Sequence, residues 1–185
     1  MYSDSPFLFI DVPDGREQIK GSSFFNYEEA DVIDSLKDFC LKQFDKSHQF
    51  HEDHGVPFMK FNKDSIYVIT PYNAQKNLIA EYFSDDKIEN HVLSIDSSQG
   101  REFDLVFVSM VRTKPGDFIK DKNRINVGLT RAKHGLVIVG NAAILKKDSG
   151  WNELLTRKEA NVVIGMREAK QWIQAEINNS INNQG

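Results

Sequence analysis

Short apolar runs alternate with amphipathic helical patterns along almost the whole chain, and this alternation constrains the fold more than any other feature. Several runs are rich in β-branched and aromatic residues and apolar throughout, as expected of strands covered on both faces. Strands that alternate with helices predict a doubly wound α/β fold, with a mainly parallel sheet and helices on both faces. The predicted strands are Phe7–Val12, Ser65–Thr70, His91–Ile95, Leu105–Val111, Gly135–Val139 and Val162–Ile164.

Two of the intervening segments carry helix signals. Asn26 precedes the first helix, and Glu29 three residues later completes a pattern typical of a capping box. That helix has an apolar stripe at helical spacing, formed by Val32, Ile33, Leu36, Phe39 and Cys40. Asn73 is the predicted cap of the next helix, which is expected to bury Leu78, Ile79, Tyr82 and Phe83.

Length and composition predict one soluble domain. The 185 residues are 40% apolar and 27% charged, enough for a hydrophobic core. We expect one domain over residues 1–177, with an irregular loop insertion at 45–63 and a disordered tail at 178–185. An apolar run of membrane-spanning length is lacking, and a single cysteine, Cys40, fits a reducing compartment, so we expect a cytoplasmic or nuclear protein with no membrane partner.

The chain has 23 basic and 27 acidic residues and a net charge of −4, so it carries no overall positive field. Any contact with nucleic acid must therefore come from a local arrangement of residues. In parallel sheets wound on both faces, ligands gather at the carboxyl ends of the strands, so the segments that follow the strands are the first places to look for chemistry.

Three such segments are dense in functional groups. The first, Thr70–Gln75, opens a helix and could hold a phosphate on hydroxyl and backbone N–H groups, or could be a simple proline turn. The second, Ser94–Asp104, combines hydroxyls, Gly100, Arg101 and carboxylates, and could bind a nucleotide or be a polar, hairpin-like connection.

The third segment is Asn123–Lys133. Read as a helix, it places Arg124, Gly128 and Arg131 on one shared face, with the bare glycine between two arginines. This arrangement suits an anion, and a close neighbour could explain a glycine inside a helix. Alternatively, both arginines are solvated surface charges.

Together these segments resemble motifs IV, V and VI of superfamily 1 helicases, and most closely their up-frameshift and senataxin-like branch. The matching stretches are TPYNAQ, SIDSSQGREFDLVFVSMVR and NRINVGLTRAKHGLVIVGN, which occur in the family's order. Ser22–Ala30 and Trp151–Leu155 resemble flanking segments, and the likeness covers roughly residues 6–165. The resemblance implies the second, C-terminal RecA-like motor domain of a larger ATP-dependent helicase.

The resemblance also implies roles for individual residues. Arg131 would be the catalytic arginine finger, acting on ATP that is bound with Mg²⁺ mainly by the first RecA-like domain. The nucleotide would contact Gln75, Gly100, Glu102 and Arg124. Single-stranded RNA or DNA would lie against Thr70, Pro71, Ser94, Ser97 and Ser98, which would grip its backbone without reading bases. The family further implies 5′-to-3′ translocation, and possible regulatory proteins as partners.

The sequence departs from the family pattern at two points. The phosphate-binding loop G-x-x-x-x-G-K-[ST] and the acidic magnesium motif are absent, so this is a P-loop NTPase fold without its own P-loop, and the isolated chain is expected to be inactive. In the family's N-R-x-E-A pattern the arginine contacts nucleotide, but here Tyr27 takes that position and could pack beside the base or cover the helix start.

Three alternatives stay open. His48, His51 and His54 have a spacing seen in zinc sites, but no cysteine is nearby, and we interpret them as part of a solvated insertion rather than a metal site. The domain could also be a non-motor scaffold derived from a helicase that binds nucleic acid or protein. A nucleotide-binding doubly wound domain of another kind ranks last, because no glycine-rich loop follows the first strand.

Overall fold

The computed structural model describes residues 7–54, 62–115, 122–157 and 160–182, with side chains described for 7–45, 62–115, 126–157 and 161–175. The strands are β1 (Phe7–Asp11), β2 (Gln18–Lys20), β3 (Ser23–Phe25), β4 (Ile66–Thr70), β5 (Val92–Ser94), β6 (Phe103–Ser109), β7 (Ala132–Gly140) and β8 (Ala160–Ile164). The helices are α1 (Tyr27–His54), α2 (Asn73–Phe83), α3 (Lys122–Leu129), α4 (Ala142–Leu145), α5 (Ser149–Thr156) and α6 (Gly165–Asn182). All six predicted strands are present.

The central sheet has six strands in the order β5-β4-β6-β7-β1-β8, and every neighbouring pair is parallel. Because β5 and β6 both pair with β4, the segment between them is not a hairpin. That segment instead leaves the carboxyl end of β5 and returns to the amino end of β6. The prediction of a parallel, doubly wound sheet is confirmed.

Two hydrophobic cores lie on opposite faces of the sheet. Alternate residues of β1 show this division, since Phe7 and Phe9 belong to one core and Leu8 and Ile10 to the other. The first core takes its helical residues from α3, α4 and α5, and the second takes them from α1, α2 and α6. Helices therefore cover both faces, which explains why the strand sequences are apolar throughout.

A two-stranded antiparallel hairpin, β2–β3, stands apart from the central sheet and was not predicted. Its turn contains Gly21, whose positive φ of 63° suits glycine. The hairpin supplies the hydroxyl of Ser23, which accepts a hydrogen bond from the backbone N–H of Ala74 at 3.1 Å, at the start of α2. The N-cap position of α2 is Tyr72 and Asn73 is the first residue of the helix, so the predicted capping role of Asn73 is wrong.

Three element ends differ from prediction. Helix α1 continues to His54, so the first part of the predicted irregular segment 45–63 is helical; the side chains of the three histidines lie outside the described ones. Helix α6 continues to Asn182, five residues into the predicted tail, and residues 183–185 lie outside the described part. Helix α3 ends at Leu129, so Arg131 precedes β7 instead of lying on the helix.

Buried thiol and ammonium groups mark the α1 side of the fold. Cys40 is buried in the second core, and burial raises the pKa of its thiol to about 12, as expected of a core cysteine. Lys37 is buried and bonded to Asp34, Asp38 and Asp86. Burial opposes its charge, but these carboxylates outweigh burial and raise its pKa.

None of the described helices is long and apolar enough to cross a bilayer.

Candidate nucleotide and nucleic-acid sites

The candidate residues fall into two groups at opposite ends of the central strands. Gly100, Glu102 and Arg131 lie at the amino ends of β6 and β7, where Phe103 N–H donates to Arg131 O at 2.8 Å. Thr70 and Ser94 close the carboxyl ends of β4 and β5 and are register partners. Six residues of rise along β6 separate the two ends by about 20 Å.

The loop before β6 presents the first group. Gly100 has a positive φ of 74°, and a Cβ placed there would meet no atom of the described residues within 4 Å. Glycine is therefore favoured by backbone conformation and not by lack of room. Arg101 and Glu102, which follow, are both exposed. This loop consequently offers an accessible backbone, one guanidinium and one carboxylate to a ligand.

The Arg131 guanidinium is held by three acceptors, two at the end of α3 and one in the loop before β6. Its Nε donates to Val127 O at 2.8 Å, Nη1 donates to Arg101 O at 3.1 Å, and Nη2 donates to Thr130 Oγ1 at 3.1 Å. Val127 O belongs to the last turn of the helix, where the carbonyl groups favour a cation. Because a guanidinium carries five N–H donors, two are left without an acceptor among the described residues.

An aromatic stack supports Arg101. The rings of Tyr67 and Phe103 stack at a centroid distance of 4.0 Å, and the ring of His91 stacks on Tyr67 at 4.3 Å. The Arg101 guanidinium carbon lies 4.9 Å from the Phe103 centroid and 5.7 Å from that of Tyr67. These are cation–π distances, so the stack holds a positive charge beside the loop that carries Gly100 and Glu102.

The second group lies at the carboxyl ends of β4 and β5. Pro71 and Ser94 are half-buried and Ser97 is exposed, whereas Thr70 and Ser98 are buried. Ser94 and Ser97 bond to each other, with 2.9 Å between their hydroxyl oxygens. Ser98 Oγ donates to Ile95 O at 2.7 Å, but Thr70 Oγ1 has no hydrogen-bond partner among the described residues. Of these five residues, Pro71, Ser94 and Ser97 are accessible to a ligand.

Gln75 is fully buried in a polar network and does not join Arg131. Its Oε1 accepts from Asn26 N–H at 2.8 Å, and its Nε2 donates to Asn26 O at 3.1 Å and to Ser109 Oγ at 3.0 Å. Ser109 is the last residue of β6, so the network lies at the carboxyl end of the sheet. In this conformation the Gln75 amide stabilises the fold through these hydrogen bonds.

Glu29 is the ionisable member of this network. Its Oε2 accepts from Ser109 Oγ at 2.8 Å and from Val111 N–H at 2.9 Å. Its own N–H donates to Asn26 Oδ1 at 3.2 Å, which confirms Asn26 as the cap of α1, but the Asn26 N–H donates to Gln75 and not to Glu29, so the reciprocal bond of a capping box is not formed. Burial raises the pKa of Glu29 to about 7, against the opposing effect of the hydrogen bonds that it accepts.

The chain leaves β6 through a strained residue. Val111 is buried and has a positive φ of 70°, a conformation that β-branched residues rarely adopt. The network holds it on both sides, since its N–H donates to Glu29 and its carbonyl accepts from Asn26 Nδ2 at 3.2 Å. Strain of this kind costs roughly 1–3 kcal/mol and persists only where surrounding bonds impose it.

Arg112 joins this exit to the hairpin. Its Nε donates to Glu17 Oε2 at 2.9 Å, and its guanidinium carbon lies 4.1 Å from the centroid of Phe24. Burial of Glu17 opposes ionisation, but bonds from Arg112 and from Thr113 N–H outweigh it and lower the Glu17 pKa. The Arg112 charge is therefore balanced within the domain.

Two further candidates occupy separate positions. Tyr27 follows Asn26 at the start of α1; its side chain is 45% exposed and packs edge-on against Phe25 with 5.2 Å between ring centroids. Arg124 lies on α3, but its side chain is outside the described ones. Gly128 is buried against the sheet; a Cβ there would meet Ile69 at 3.5 Å, an ordinary contact, so packing does not require glycine.

Sequence reasoning placed Glu29 only in the start of α1 and missed that Glu29 and Lys37 are buried and bonded, although a signal was present. Glu29, Ile33, Leu36 and Cys40 share one helical stripe, and Lys37 follows Ile33 by four residues. Charged residues on an apolar stripe indicate buried, bonded charges.

The described residues contain no group of three or more His, Cys, Asp or Glu side chains that could hold a metal ion.

Comparison with known proteins agrees with these motifs. A family model described as an AAA domain matches residues 2–143. An uncharacterized ATP-dependent helicase of Methanocaldococcus jannaschii is 33% identical over 83% of this chain and 20% of its own length. ATP-dependent helicase NAM7 of Saccharomyces cerevisiae is 38% identical over 76% of this chain and 14% of its own.

A regulator of nonsense transcripts 1 homolog of Arabidopsis thaliana is 36% identical over 80% of this chain and 12% of its own length. The chain therefore spans between 12% and 20% of the length of these three relatives. The family match covers most of the chain, and the parallel sheet has the RecA-like arrangement. This chain belongs to the AAA domain family as a superfamily 1 helicase domain of the up-frameshift type.

Proposed function

We propose that this chain is the second motor domain of an ATP-dependent helicase and supplies the arginine finger, Arg131. The observation that carries the proposal is the Arg131 guanidinium, which lies beside the Gly100–Glu102 loop with two N–H donors left for a ligand. A planar guanidinium with two free donors matches the oxygens of a phosphate. The adjacent carboxylate of Glu102 and the open backbone at Gly100 would contact the rest of the nucleotide.

The finger would act through its charge. ATP would be bound with Mg²⁺ mainly by the first RecA-like domain and would supply the phosphoanhydride bond that is hydrolysed. Arg131 would place positive charge against the γ-phosphate oxygens as charge redistributes in the transition state. Arginine fingers of this kind raise hydrolysis rates by roughly 10³–10⁵-fold. This chain alone would contribute the finger without the phosphate-binding loop.

Nucleic acid would lie at the carboxyl ends of β4 and β5. Pro71, Ser94 and Ser97 are the accessible candidates, and Thr70 and Ser98 would support them from within the loop. Contacts from hydroxyl and backbone groups suit sugar and phosphate rather than bases, so they suit movement along any sequence of single-stranded RNA or DNA. Translocation from 5′ to 3′ belongs to the proposal on family resemblance alone.

The remaining candidates have secondary roles in this proposal. Gln75 would act through its bonds to Asn26 and Ser109 and not by direct contact with the nucleotide, because its amide is fully used. Tyr27 offers a half-exposed ring that could pack beside the base. Arg124 would add a second positive charge to the cleft.

The proposed role of Arg131 is tested by the Arg131→Ala variant of the longer protein that contains the upstream domain. We expect kcat for ATP hydrolysis in the presence of single-stranded RNA to fall about 10³-fold or more, with KM for ATP changed only a few-fold. Arg167→Ala, which removes an exposed arginine on α6, is the matched control and should retain wild-type turnover. Unchanged turnover in Arg131→Ala would refute the finger. An inactive wild-type protein would instead favour a non-motor scaffold.

A further inference from the structure

The hydroxyl of Thr130 connects the last turn of α3 to the Arg131 guanidinium. Its Oγ1 lies 2.8 Å from Asn126 O, to which it donates, and 3.1 Å from Arg131 Nη2, from which it accepts. A hydroxyl has one proton, and the bond to Asn126 uses it. The oxygen therefore presents a lone pair to Arg131, and the helix backbone fixes the direction of that lone pair.

Three acceptors surround the guanidinium, one for each of its nitrogens: Val127 O, Arg101 O and Thr130 Oγ1. We call this set the arginine cradle. Two members are main-chain carbonyls, which substitution does not remove. Thr130 contributes the one side-chain acceptor that the described residues place in the cradle, and its own side chain is exposed at the surface.

The cradle determines where the remaining donors point. With Nε–H and one N–H on each terminal nitrogen engaged, one N–H is left on each of Nη1 and Nη2. Three bonds to a planar group fix its plane, so these two donors keep one orientation. A donor pair that is oriented before the reaction needs no reorganisation when charge develops on a ligand.

We propose that Thr130 is a positioning residue that orients the Arg131 guanidinium for ATP hydrolysis. This inference rests on the proposed role of Arg131 as the finger. Removal of the hydroxyl leaves the two carbonyl bonds in place but lets the rigid guanidinium plane tilt about the line through Nε and Nη1, which changes where the two remaining donors point. The effect should therefore appear in kcat, where the finger acts, and not in the affinity for ATP, which other residues determine.

The test is a double-mutant cycle in the longer protein with its upstream domain. Thr130→Val keeps the shape of the side chain and removes the acceptor, whereas Thr130→Ser keeps the hydroxyl. We expect Thr130→Val to lower kcat about five- to tenfold, the loss typical of one intramolecular hydrogen bond, with KM for ATP within about twofold. Thr130→Ser should retain kcat within about twofold.

The second arm repeats Thr130→Val in the Arg131→Ala background, where we expect no additional loss. An equal loss of kcat in both backgrounds would show that Thr130 supports the fold only, and would overturn the inference while the finger stands. Wild-type kcat in Thr130→Val would overturn it as well. If Arg131→Ala itself retains wild-type turnover, the proposed function fails, and the inference fails with it.

A second measurement does not depend on turnover. In the ¹⁵N-labelled chain, the Nε–H resonance of Arg131, identified by its loss in Arg131→Lys, reports how firmly the guanidinium is held. Thr130→Val should raise its hydrogen-exchange rate several-fold, and Thr130→Ser should not. Equal exchange rates in wild type and Thr130→Val would contradict the positioning role. Thr130→Ala replaces Thr130→Val in both experiments if the valine variant does not fold.

Discussion

Raising the pH from 5 to 8 is expected to destabilise this domain through the buried carboxyl group of Glu29. In the folded domain, burial raises its pKa from 4.5 to about 7. The unfolded chain releases this proton near pH 4.5, whereas the folded domain keeps it until about pH 7. Folding therefore binds a proton between these values. The contribution to stability is complete below about pH 4.5 and is lost as the pH rises through about 7.

The raised pKa of Glu29 sets the size of this loss of stability. A difference of about 2.5 pKa units at 1.36 kcal/mol per unit corresponds to about 3 kcal/mol of unfolding free energy. In a domain of 150–250 residues, each kcal/mol lowers the melting temperature by about 2–4 °C. The Glu29 contribution should therefore lower the melting temperature by about 6–12 °C between pH 5 and pH 8.

Thermal unfolding of wild type and Glu29→Gln, followed by circular dichroism at pH 5, 6, 7 and 8, measures this contribution. The glutamine has nearly the same shape and does not titrate, so its melting temperature should change much less over this range. All other residues are common to the two proteins, so the difference between the two curves isolates Glu29. Parallel curves for the two proteins would refute the argument that this buried carboxyl holds its proton near neutral pH.

Two further predictions concern stability. Gly100→Ala should lower the melting temperature by about 2–4 °C, because a positive φ costs an alanine about 1 kcal/mol even in open space. Gly128→Ala should leave the melting temperature unchanged or raise it. Thermal melts compare the two variants, and a larger loss in Gly128→Ala would contradict this reasoning. Lys37→Met should lower the free energy of unfolding in urea by about 1–3 kcal/mol, because it removes the buried cation from three aspartates. Lys42 is exposed on the same helix, so Lys42→Met should lower it by less than about 0.5 kcal/mol. Equal costs would show that the buried charge cluster does not stabilise the fold.

The strands of the central sheet could be predicted because both of their faces are buried. Leu8 and Phe9 point to opposite cores, so the run that contains them is apolar without interruption. The same reasoning could not find the β2–β3 hairpin. Its strands have three residues each, and β2 is fully exposed, which leaves no apolar pattern to detect.

The site was predicted in part. The loop of Gly100 and Glu102 does lie beside Arg131, but reading Asn123–Lys133 as one helix hid the change from α3 to β7. Pairing of Ala132 with Phe103 extends the chain at that point, and this contact is distant in sequence. The buried position of Gln75 likewise depends on Asn26 and Ser109, which lie 49 and 34 residues away. Contacts of that range leave no local signal.

The proposed function makes this domain one half of a nucleic-acid-driven motor. The most direct measurement is ATP turnover with and without single-stranded RNA, on this chain alone and on the chain joined to its native upstream region. We expect that the chain alone does not hydrolyse ATP and that the longer protein is stimulated by the RNA. Turnover by the isolated chain, or a longer protein that stays silent with both single-stranded RNA and single-stranded DNA, would contradict it.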